Sequence, residues 1–455
     1  MNHLIFELKT QQLAVNSMNR FPWECYTFLS ESTIVGFKNA QVDSVDRRQV
    51  SASATRVKKD NRIGFFVQSG DTGNTLDETL PKALELAENG AEYCVEFAVP
   101  AHCSSVSVYD SSIKNMSVEH LMQIAEKSFE PIKTACSDAL IDAAVCKTVE
   151  DVSIRNSNGL EINYLRSVFN FFVGIEIIEG TSFFYLGDSL SRTSFLESDF
   201  ERVIQRITHK LSLARTETVL PTGKYPVIFT PRAALSILFI IQNALNGHTF
   251  YRGTSPLRGK IGQSICDEKI SISDDPTRIE SPFSALCDDE GVPSQNKVLI
   301  RKGVLESILT DLESAARLNM HPSGNAIRSK GFFYPAKDYA SLPAPAPTNW
   351  RVASGNTGYA DLIAGIKNGV LIDQVLGLHT GNLLNGDFSV NISSGYHIKN
   401  GKISGRIKDA LIAANVYTML AERLVECSSE TEEIDVSGIH SVPYLMFKDM
   451  SIACG

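Results

Sequence analysis

Residues 221–226, which read Pro-Thr-Gly-Lys-Tyr-Pro, interrupt the hydrophobic patterns of this 455-residue chain. Two prolines and a glycine within six residues break both helical and strand periodicity. A segment of this kind is typical of a boundary between domains. We therefore predict a first domain over residues 1–220 and a second over residues 221–455, each long enough to bury its own core.

Strand and helix patterns alternate before this boundary. Stretches rich in β-branched and aromatic residues predict strands, and apolar residues at helical spacing predict helices. Asn158-Gly159 is the strongest short-range hairpin signal in the chain. The predicted strands are residues 25–30, 33–38, 49–57, 63–68, 143–155 and 161–178, and the predicted helices are residues 76–88, 117–136 and 198–214.

Beyond the boundary the sequence is rich in glycine and in short strands. Apolar residues cover most of the circumference of the predicted helix 231–245, so we expect that helix to be buried. Hairpins are predicted at residues 298–306 and 397–404, a polyproline-like or edge strand at the alternating prolines of 343–347, and a last helix at 409–426. The sequence therefore predicts an α+β fold, with a sheet-and-helix N-terminal domain and a strand-rich C-terminal domain around a buried helix.

Composition excludes several classes of protein. The chain has 43 Lys and Arg against 52 Asp and Glu, a net charge of −9, and no stripe of basic residues, which argues against binding of nucleic acid through its phosphates. No apolar run reaches the roughly 18 residues of a membrane span, and residues 1–16 lack the pattern of a signal peptide. Nine cysteines are scattered without a Cys-x-x-Cys pair, which is typical of reduced thiols. We therefore expect a cytoplasmic protein.

The familiar catalytic motifs are absent from the sequence. It contains neither a His-Glu-x-x-His pair for zinc nor a Gly-x-Ser-x-Gly elbow for a nucleophilic serine. Cys454 has no indicated His or Asn partner, and we expect it in an edge strand rather than in a catalytic site. Four further potential ligands show no spacing that requires a metal, and we interpret them as ordinary surface residues. They are His248, Cys266, Asp274 and Asp275.

The densest group of polar residues lies in residues 377–389, Gly-Leu-His-Thr-Gly-Asn-Leu-Leu-Asn-Gly-Asp-Phe-Ser. Its glycines allow a ligand to approach the backbone, and His379, Asn382 and Asp387 supply donors and acceptors that fit a peptide backbone. The same composition is typical of two tight turns capped by their own side chains. Composition alone does not separate these two interpretations.

Short motifs follow one another along the chain in a characteristic order. They are Ser-Pro-Leu-Arg-Gly-Lys-Ile-Gly at 255–262, Asp-Asp-Glu-Gly-Val-Pro at 288–293, Pro-Ser-Gly-Asn at 322–325, Gly-Leu-His-Thr-Gly at 377–381, Gly-Asp-Phe-Ser at 386–389 and Tyr-His-Ile-Lys-Asn-Gly at 396–401. Looser matches lie at 36–41 and 62–64. Over nearly its whole length the chain thereby resembles the TldD/PmbA family, which is described as metalloprotease-related and was historically named as modulators of DNA gyrase.

The resemblance implies a zinc site whose ligands this chain lacks. In the TldD branch of the family a helix carries His-Glu-x-x-x-His, and a Cys near the C-terminus joins the two His on zinc. Anchored on residues 245–255, the three helix positions fall on Leu238, Phe239 and Asn243, and the Cys position falls near Ser437. Leu and Phe cannot bind zinc, and a lone Asn or Ser binds it poorly. The chain therefore resembles the PmbA branch, also called TldE, the non-catalytic half that pairs with TldD.

One segment departs from that branch. Residues 342–349, Leu-Pro-Ala-Pro-Ala-Pro-Thr-Asn, look more like the strand that borders the substrate cleft in the catalytic branch. This likeness suggests that a peptide-binding surface survives without the metal, although a purely structural strand explains the segment at least as well. The candidate peptide-binding residues are Thr348, Asn349, His379, Asn382 and Asp387, and no catalytic or metal-binding residue is expected in this chain.

Together with the resemblance, the sequence predicts a PmbA/TldE-like subunit of a TldD-type zinc peptidase that acts on unfolded peptides. Zinc is expected in the TldD-like partner, while this chain alone is expected to hold no cofactor and to be inactive. Two alternatives stay open: a homodimeric peptide-binding protein without protease activity, and a stand-alone hydrolase that uses chemistry without zinc. Neither direct nucleic-acid binding nor membrane binding is expected.

Overall fold

The computed structural model describes residues 20–70, 75–93, 95–179, 182–329, 338–378, 384–436 and 438–455. The strands of the N-terminal half are β1 (Trp23–Lys38), β2 (Gln41–Lys59), β3 (Arg62–Ser69), β4 (Leu140–Asn156), β5 (Glu161–Glu179) and β6 (Ser182–Arg192). The helices there are α1 (Thr75–Ala87), α2 (Ser111–Asn115), α3 (Val118–Glu126), α4 (Phe129–Ala135) and α5 (Glu197–Ala214).

The C-terminal half is richer in strands. They are β7 (Glu217–Thr218), β8 (Gly223–Phe229), β9 (Ile272–Asp274), β10 (Lys297–Arg301), β11 (Val304–Leu305), β12 (Ala326–Ile327), β13 (Ala344–Pro345), β14 (Trp350–Val352), β15 (Asn368–Leu376), β16 (Asp387–Lys399), β17 (Lys402–Ile407), β18 (Ala410–Asn415), β19 (Leu424–Asp435) and β20 (Ile439–Cys454). The helices are α6 (Pro231–Ala244), α7 (Gly247–Tyr251), α8 (Leu312–Leu318), α9 (Tyr359–Ala364) and α10 (Val416–Thr418), followed by a π-helical turn at Met419–Arg423.

The first sheet is antiparallel throughout, with strand order β3-β2-β1-β4-β5-β6. Its hairpin turns follow local sequence, because Asp60, Asn61 and Gly159 adopt positive φ angles. Helices α3, α4 and α5 cover one face and form a core with it. Aromatic and aliphatic residues of the opposite face pack against Cys287 and Val292 of the C-terminal half.

The second sheet has the path β11-β10-β9-β14-β20-β8-β15-β16-β17-β7, with β18 and β19 attached beside it. Most pairs are antiparallel, but β8 with β15, β14 with β20, and β17 with β7 are parallel. Helix α6 packs on this sheet and belongs to its core. The predicted α+β class is therefore confirmed, as are the buried helix near 231–245, the two C-terminal hairpins and a short strand within 343–347.

Three local predictions are wrong. The helix predicted at 409–426 is instead β18, α10, a π-helical turn and the start of β19, because pairing with β16 and β20 overrides the helical propensity of residues 410–415. The helix predicted at 117–136 divides into α3 and α4, since Pro131 has no N–H to continue the hydrogen-bond ladder. Cys454 ends β20, which is an interior strand rather than an edge strand.

No helix in the described part of the chain combines the length and the apolar character that crossing a membrane would require.

A buried ionic network joins the first sheet to the C-terminal half. Arg56 on β2 donates from Nε and Nη2 to the two carboxylate oxygens of Glu24 on β1, at 3.0 and 2.7 Å, and from Nη1 to Glu290 at 2.8 Å. Arg328 Nη2 donates to the same Glu24 carboxylate at 3.2 Å. All four side chains are buried. Removal of one partner would leave an uncompensated charge inside the protein.

We predict that Arg56→Leu lowers the free energy of unfolding by about 3–5 kcal/mol, because it leaves Glu290 without its cation. Burial already raises the pKa of Glu290 to about 7, and Arg56 opposes that rise. Below that pKa the Glu290 carboxyl is protonated in the folded protein and needs no cation. The decrease in unfolding free energy caused by Arg56→Leu should therefore be smallest near about pH 5 and grow as the pH rises through about 7. Urea unfolding at several pH values measures both effects.

The matched control is Lys59→Leu on the same strand, which removes a cation from the solvent-exposed pair with Glu88. That variant should cost at most about 1 kcal/mol, with little dependence on pH. Equal losses for the two variants at every pH would contradict a buried network.

Candidate functional site

Helix α6 occupies the place where the family resemblance puts a zinc site. The helix begins after Thr230, whose hydroxyl accepts a hydrogen bond from Ala233 N at 3.4 Å, with Pro231 in the first turn. It packs against β15, β19 and β20. Residues on all sides of it are buried, namely Pro231, Ala233, Ala234, Leu235, Ile237, Leu238, Phe239, Ile240, Ile241, Gln242 and Ala244.

The three aligned ligand positions on α6 do not fit zinc. Leu238 and Phe239 are 1% and 7% exposed and offer only hydrocarbon. Asn243 Nδ2 donates to the Phe239 carbonyl one turn earlier at 3.0 Å, so its amide serves the helix itself. Ser437 lies outside the described residues. Zinc sites in proteins are built from imidazole, thiolate and carboxylate ligands, and α6 supplies none of these at the three positions.

The four other potential ligands are engaged separately. His248 Nε2 lies 2.7 Å from Asp311 Oδ2, and Cys266 is buried beside the Gly303 carbonyl. Asp274 and Asp275 are buried too, so the expectation of surface residues was wrong for three of the four. Within the described ranges, no group of three or more His, Cys, Asp or Glu side chains has an arrangement that could hold a metal ion.

Asp274, at the end of β9, holds the segment that carries Thr348 and Asn349. Its Oδ1 accepts hydrogen bonds from the backbone N–H of Thr348 at 2.8 Å and of Asn349 at 3.1 Å, and its Oδ2 accepts from Thr348 Oγ1 at 3.0 Å. Asn325 Nδ2 donates to Oδ2 at 2.7 Å, and Lys297 Nζ lies 3.7 Å from it. This carboxylate is therefore fully enclosed by donors.

Asn349 extends the network to the start of β20. Its Nδ2 donates to the Asp275 carbonyl at 2.7 Å and to Ser284 Oγ at 3.1 Å, and its Oδ1 accepts from Ile439 N at 2.9 Å. Thr348 and Asn349 are 4% and 0% exposed. Their side chains therefore connect β9, residues 281–284 and β20 by hydrogen bonds. Neither side chain faces solvent.

Asp387 lies in a different, exposed environment. Its Oδ1 accepts a hydrogen bond from Asn415 Nδ2 at 2.9 Å, and the same amide donates to the Asn385 carbonyl at 2.9 Å. The partner of Asp387 is thus Asn415 on the neighbouring strand β18 and not another side chain of the same segment, and both interpretations of residues 377–389 stay predictions. His379 and Asn382 lie outside the described residues. The role of the five candidates in binding peptide stays a prediction.

A cleft of about 680 Å³ lies between the first sheet and the C-terminal half. Alternate residues of neighbouring strands line it, because every second side chain of a strand faces the same side. Its aromatic walls are Phe28, Phe172, Phe283 and Tyr339, and its small polar residues are Ser30, Ser32, Thr148, Asn170, Ser189 and Ser191. Sequence inspection did not find this cleft, since its lining comes from distant segments.

The charged groups of the cleft are paired. Arg166 Nε donates to Glu150 at 2.6 Å, and Arg166 Nη1 donates to the Pro282 carbonyl at 2.8 Å. Asp435 accepts from Arg192 Nη1 at 2.5 Å. Burial raises the pKa of Asp435, and Arg192 opposes that rise. The cleft therefore presents a neutral surface on which aromatic rings and hydroxyl groups dominate.

Such a surface can bind an extended, uncharged polypeptide. Apolar walls with a few convergent polar groups are typical of binding sites, and hydroxyls can both donate to and accept from a peptide backbone. The carboxylates of the described lining, Glu150 and Asp435, are bound by arginines, so its aromatic rings and hydroxyl groups are the groups left to contact a ligand.

Residues 222–454 match the family model described as PmbA/TldA metallopeptidase C-terminal domain. An uncharacterised protein of Methanocaldococcus jannaschii is 29% identical over 84% of this chain and 86% of its own length. A Haemophilus influenzae protein named as a metalloprotease PmbA homolog is 24% identical over 92% of each chain. The crystal structure of TldE from Thermococcus kodakarensis has a TM-score of 0.85 over 95% of this chain and 96% of that chain, at 23% identity.

We predict that Asn349→Ala lowers the free energy of unfolding by at least about 2 kcal/mol, because it leaves buried partners such as Ile439 N without their hydrogen bond. Asp387→Ala, in the exposed turn, should change it by at most about 1 kcal/mol. Thermal or urea unfolding of the two variants makes the comparison. An Asn349→Ala protein as stable as the parent, but impaired in binding peptide, would instead assign Asn349 a direct role in the site.

Proposed function

The chain belongs to the PmbA/TldD family, and from that premise we propose that it is the non-catalytic, PmbA/TldE-like subunit of a cytoplasmic zinc peptidase that degrades unfolded peptides. The zinc would be held by a TldD-like partner. This chain would complete the complex and hold the peptide.

The observation that carries this proposal is the chemistry of α6. In a metallopeptidase-related scaffold, the helix that would present zinc ligands offers Leu238, Phe239 and an Asn243 amide that bonds to its own helix. A catalytic zinc also needs one coordination position open to water and substrate. The packed surroundings of Leu238 and Phe239 are the opposite of such a position.

If a partner subunit holds the zinc, a member of this family can lack zinc ligands and still belong to a zinc peptidase. Among the relatives is a Saccharolobus solfataricus protein named as a zinc metalloprotease TldD homolog, 26% identical over 85% of this chain and 78% of its own length. A chain of this kind would provide the peptidase chemistry, while the neutral cleft of the present chain would hold an extended segment of substrate. Seven of the cysteines that the structure describes are free thiols, namely Cys25, Cys103, Cys136, Cys146, Cys266, Cys427 and Cys454, which supports a reducing compartment.

Co-purification from the native cell, with elemental analysis of each subunit, tests the proposal. This chain alone should contain no stoichiometric zinc and should not cleave unfolded protein. With its TldD-like partner, the complex should contain zinc in the partner and cleave. Chelator-resistant cleavage by the isolated chain would support a stand-alone hydrolase, and recovery of the chain only with itself would support a homodimeric binding protein.

We predict that Phe172→Ala raises the KM of the complex for unfolded peptide and leaves its zinc content unchanged, because Phe172 forms a wall of the cleft. The matched control is Leu165→Ala on the same strand. Leu165 is 43% exposed, much like Phe172 at 41%, but the two positions are seven apart along β5, an odd interval, so Leu165 faces the other side of the sheet. Equal effects of the two variants on the KM would contradict a role of the cleft in binding the peptide.

We further predict that restoring the three family ligands does not restore activity. The triple variant Leu238→His, Phe239→Glu and Asn243→His places polar groups in an apolar core, at a cost of roughly 1–3 kcal/mol each, and position 437 would still lack a thiolate. A lower melting temperature and no zinc-dependent cleavage are expected. A variant that binds zinc at full occupancy and melts no lower than the parent would contradict the conclusion that helix α6 is packed into an apolar core at the positions of the zinc ligands.

A further inference from the structure

A groove of about 630 Å³ lies where helices α2 and α3 meet strands β1, β2 and β4 of the first sheet. On this side of the sheet its charged lining comprises three cations and two carboxylates, so the groove is positive on balance in a chain of net charge −9. The cations are Arg47, Lys114 and Lys147, and the carboxylates are Glu31 and Glu119. A concave surface with an excess of one charge attracts ligands of the opposite charge.

Three residues of the lining form one row across neighbouring strands. Arg47 on β2 and Lys147 on β4 are both paired with Thr33 on β1, which lies between them. Residues directly opposite one another in a sheet share a face, and in the adjacent row Val35 and Val145 are buried under the helices. Since neighbouring strands lie about 4.8 Å apart, the backbones of the two cations are about 10 Å apart. The row thus presents a cation, a hydroxyl and a second cation on one face.

The side chains of this groove are poorly neutralised. Within the described ranges, Arg47 and Lys114 form no ion pair and Thr33 Oγ1 forms no hydrogen bond. Glu119 accepts a hydrogen bond from its own backbone N–H, which lowers its pKa, and that part of the chain gives Glu31 no ion pair either. The positive charges and the hydroxyl are therefore free to contact a ligand.

Lys147 is held in place by the connection between α2 and α3. Its Nζ donates to the Lys114 carbonyl at 2.8 Å and to the Met116 carbonyl. These bonds use two of the three N–H groups of the ammonium, and the third remains for a ligand. Partial burial and the charge of Arg47 lower the pKa of Lys147, so the two cations lie close enough to repel each other. An anion bound between them would relieve this repulsion.

We propose that the groove binds the phosphate group of a small molecule, with Arg47 and Lys147 as its charged ligands and the Thr33 hydroxyl between them. Arginine and lysine are the usual side chains that bind phosphate. The volume of the groove leaves room for a group attached to the phosphate, whereas the net charge of −9 disfavours a long polyanion.

This site goes beyond the proposed function and does not depend on it. The cleft is lined by Ser32 and Thr148, the sequence neighbours of Thr33 and Lys147. Successive side chains of a strand point to opposite faces, so the cleft and the phosphate site lie on opposite faces of the first sheet. Loss of one site therefore leaves the other in place.

Titration of the purified full-length chain with inorganic phosphate, by calorimetry at constant ionic strength, tests the proposal. The parent should bind one phosphate per chain. Arg47→Gln should weaken binding at least about tenfold, because it removes one of the two charged ligands. Thr33→Val keeps every charge and the branched shape of the side chain but removes the hydroxyl, so it should weaken binding at least about threefold. Phenyl phosphate should compete with inorganic phosphate for the site.

The matched controls are Arg155→Gln and Thr27→Val, which lie outside the groove on β4 and β1. Arg155 is exposed like Arg47, and Thr27 is half-buried like Thr33. Both controls should bind phosphate as the parent does. A parent that binds no phosphate, or a phosphate that phenyl phosphate cannot displace, would overturn the proposal. A Thr33→Val protein that binds as tightly as the parent would overturn it too, because the affinity would then be a diffuse attraction between charges.

Discussion

The buried carboxylate of Glu24 fixes the first sheet against the rest of the protein. It binds Arg56 from the neighbouring strand and Arg328 from the C-terminal half, while Arg56 also reaches Glu290. Buried ion pairs contribute little net stability compared with apolar packing, but they tolerate few alternative arrangements. The position of β2 relative to residues 288–293 is therefore set by charge, and apolar contacts fill the space around it.

A second ionic contact secures the far side of the same sheet. Arg192 on β6 donates to Asp435 at the end of β19, and Arg166 on β5 donates to the Pro282 carbonyl. Because β2 and β6 lie on opposite sides of the six-stranded order, the sheet is held at both sides. The cleft is the space that stays open between these attachments. Its neutrality has the same origin, since its charged residues are used in holding the two halves together.

The sequence predicted those elements whose conformation is determined by residues close to one another along the chain. The Asn158-Gly159 hairpin and the buried helix near 231–245 follow from turn propensity and hydrophobic periodicity, and both are present. The helix predicted at 409–426 is wrong for the opposite reason, because strand partners twenty or more residues away in sequence decide the conformation of residues 410–415. For the same reason the cleft, and the burial of Thr348 and Asn349, could not be found from sequence: both arise from contacts between distant segments.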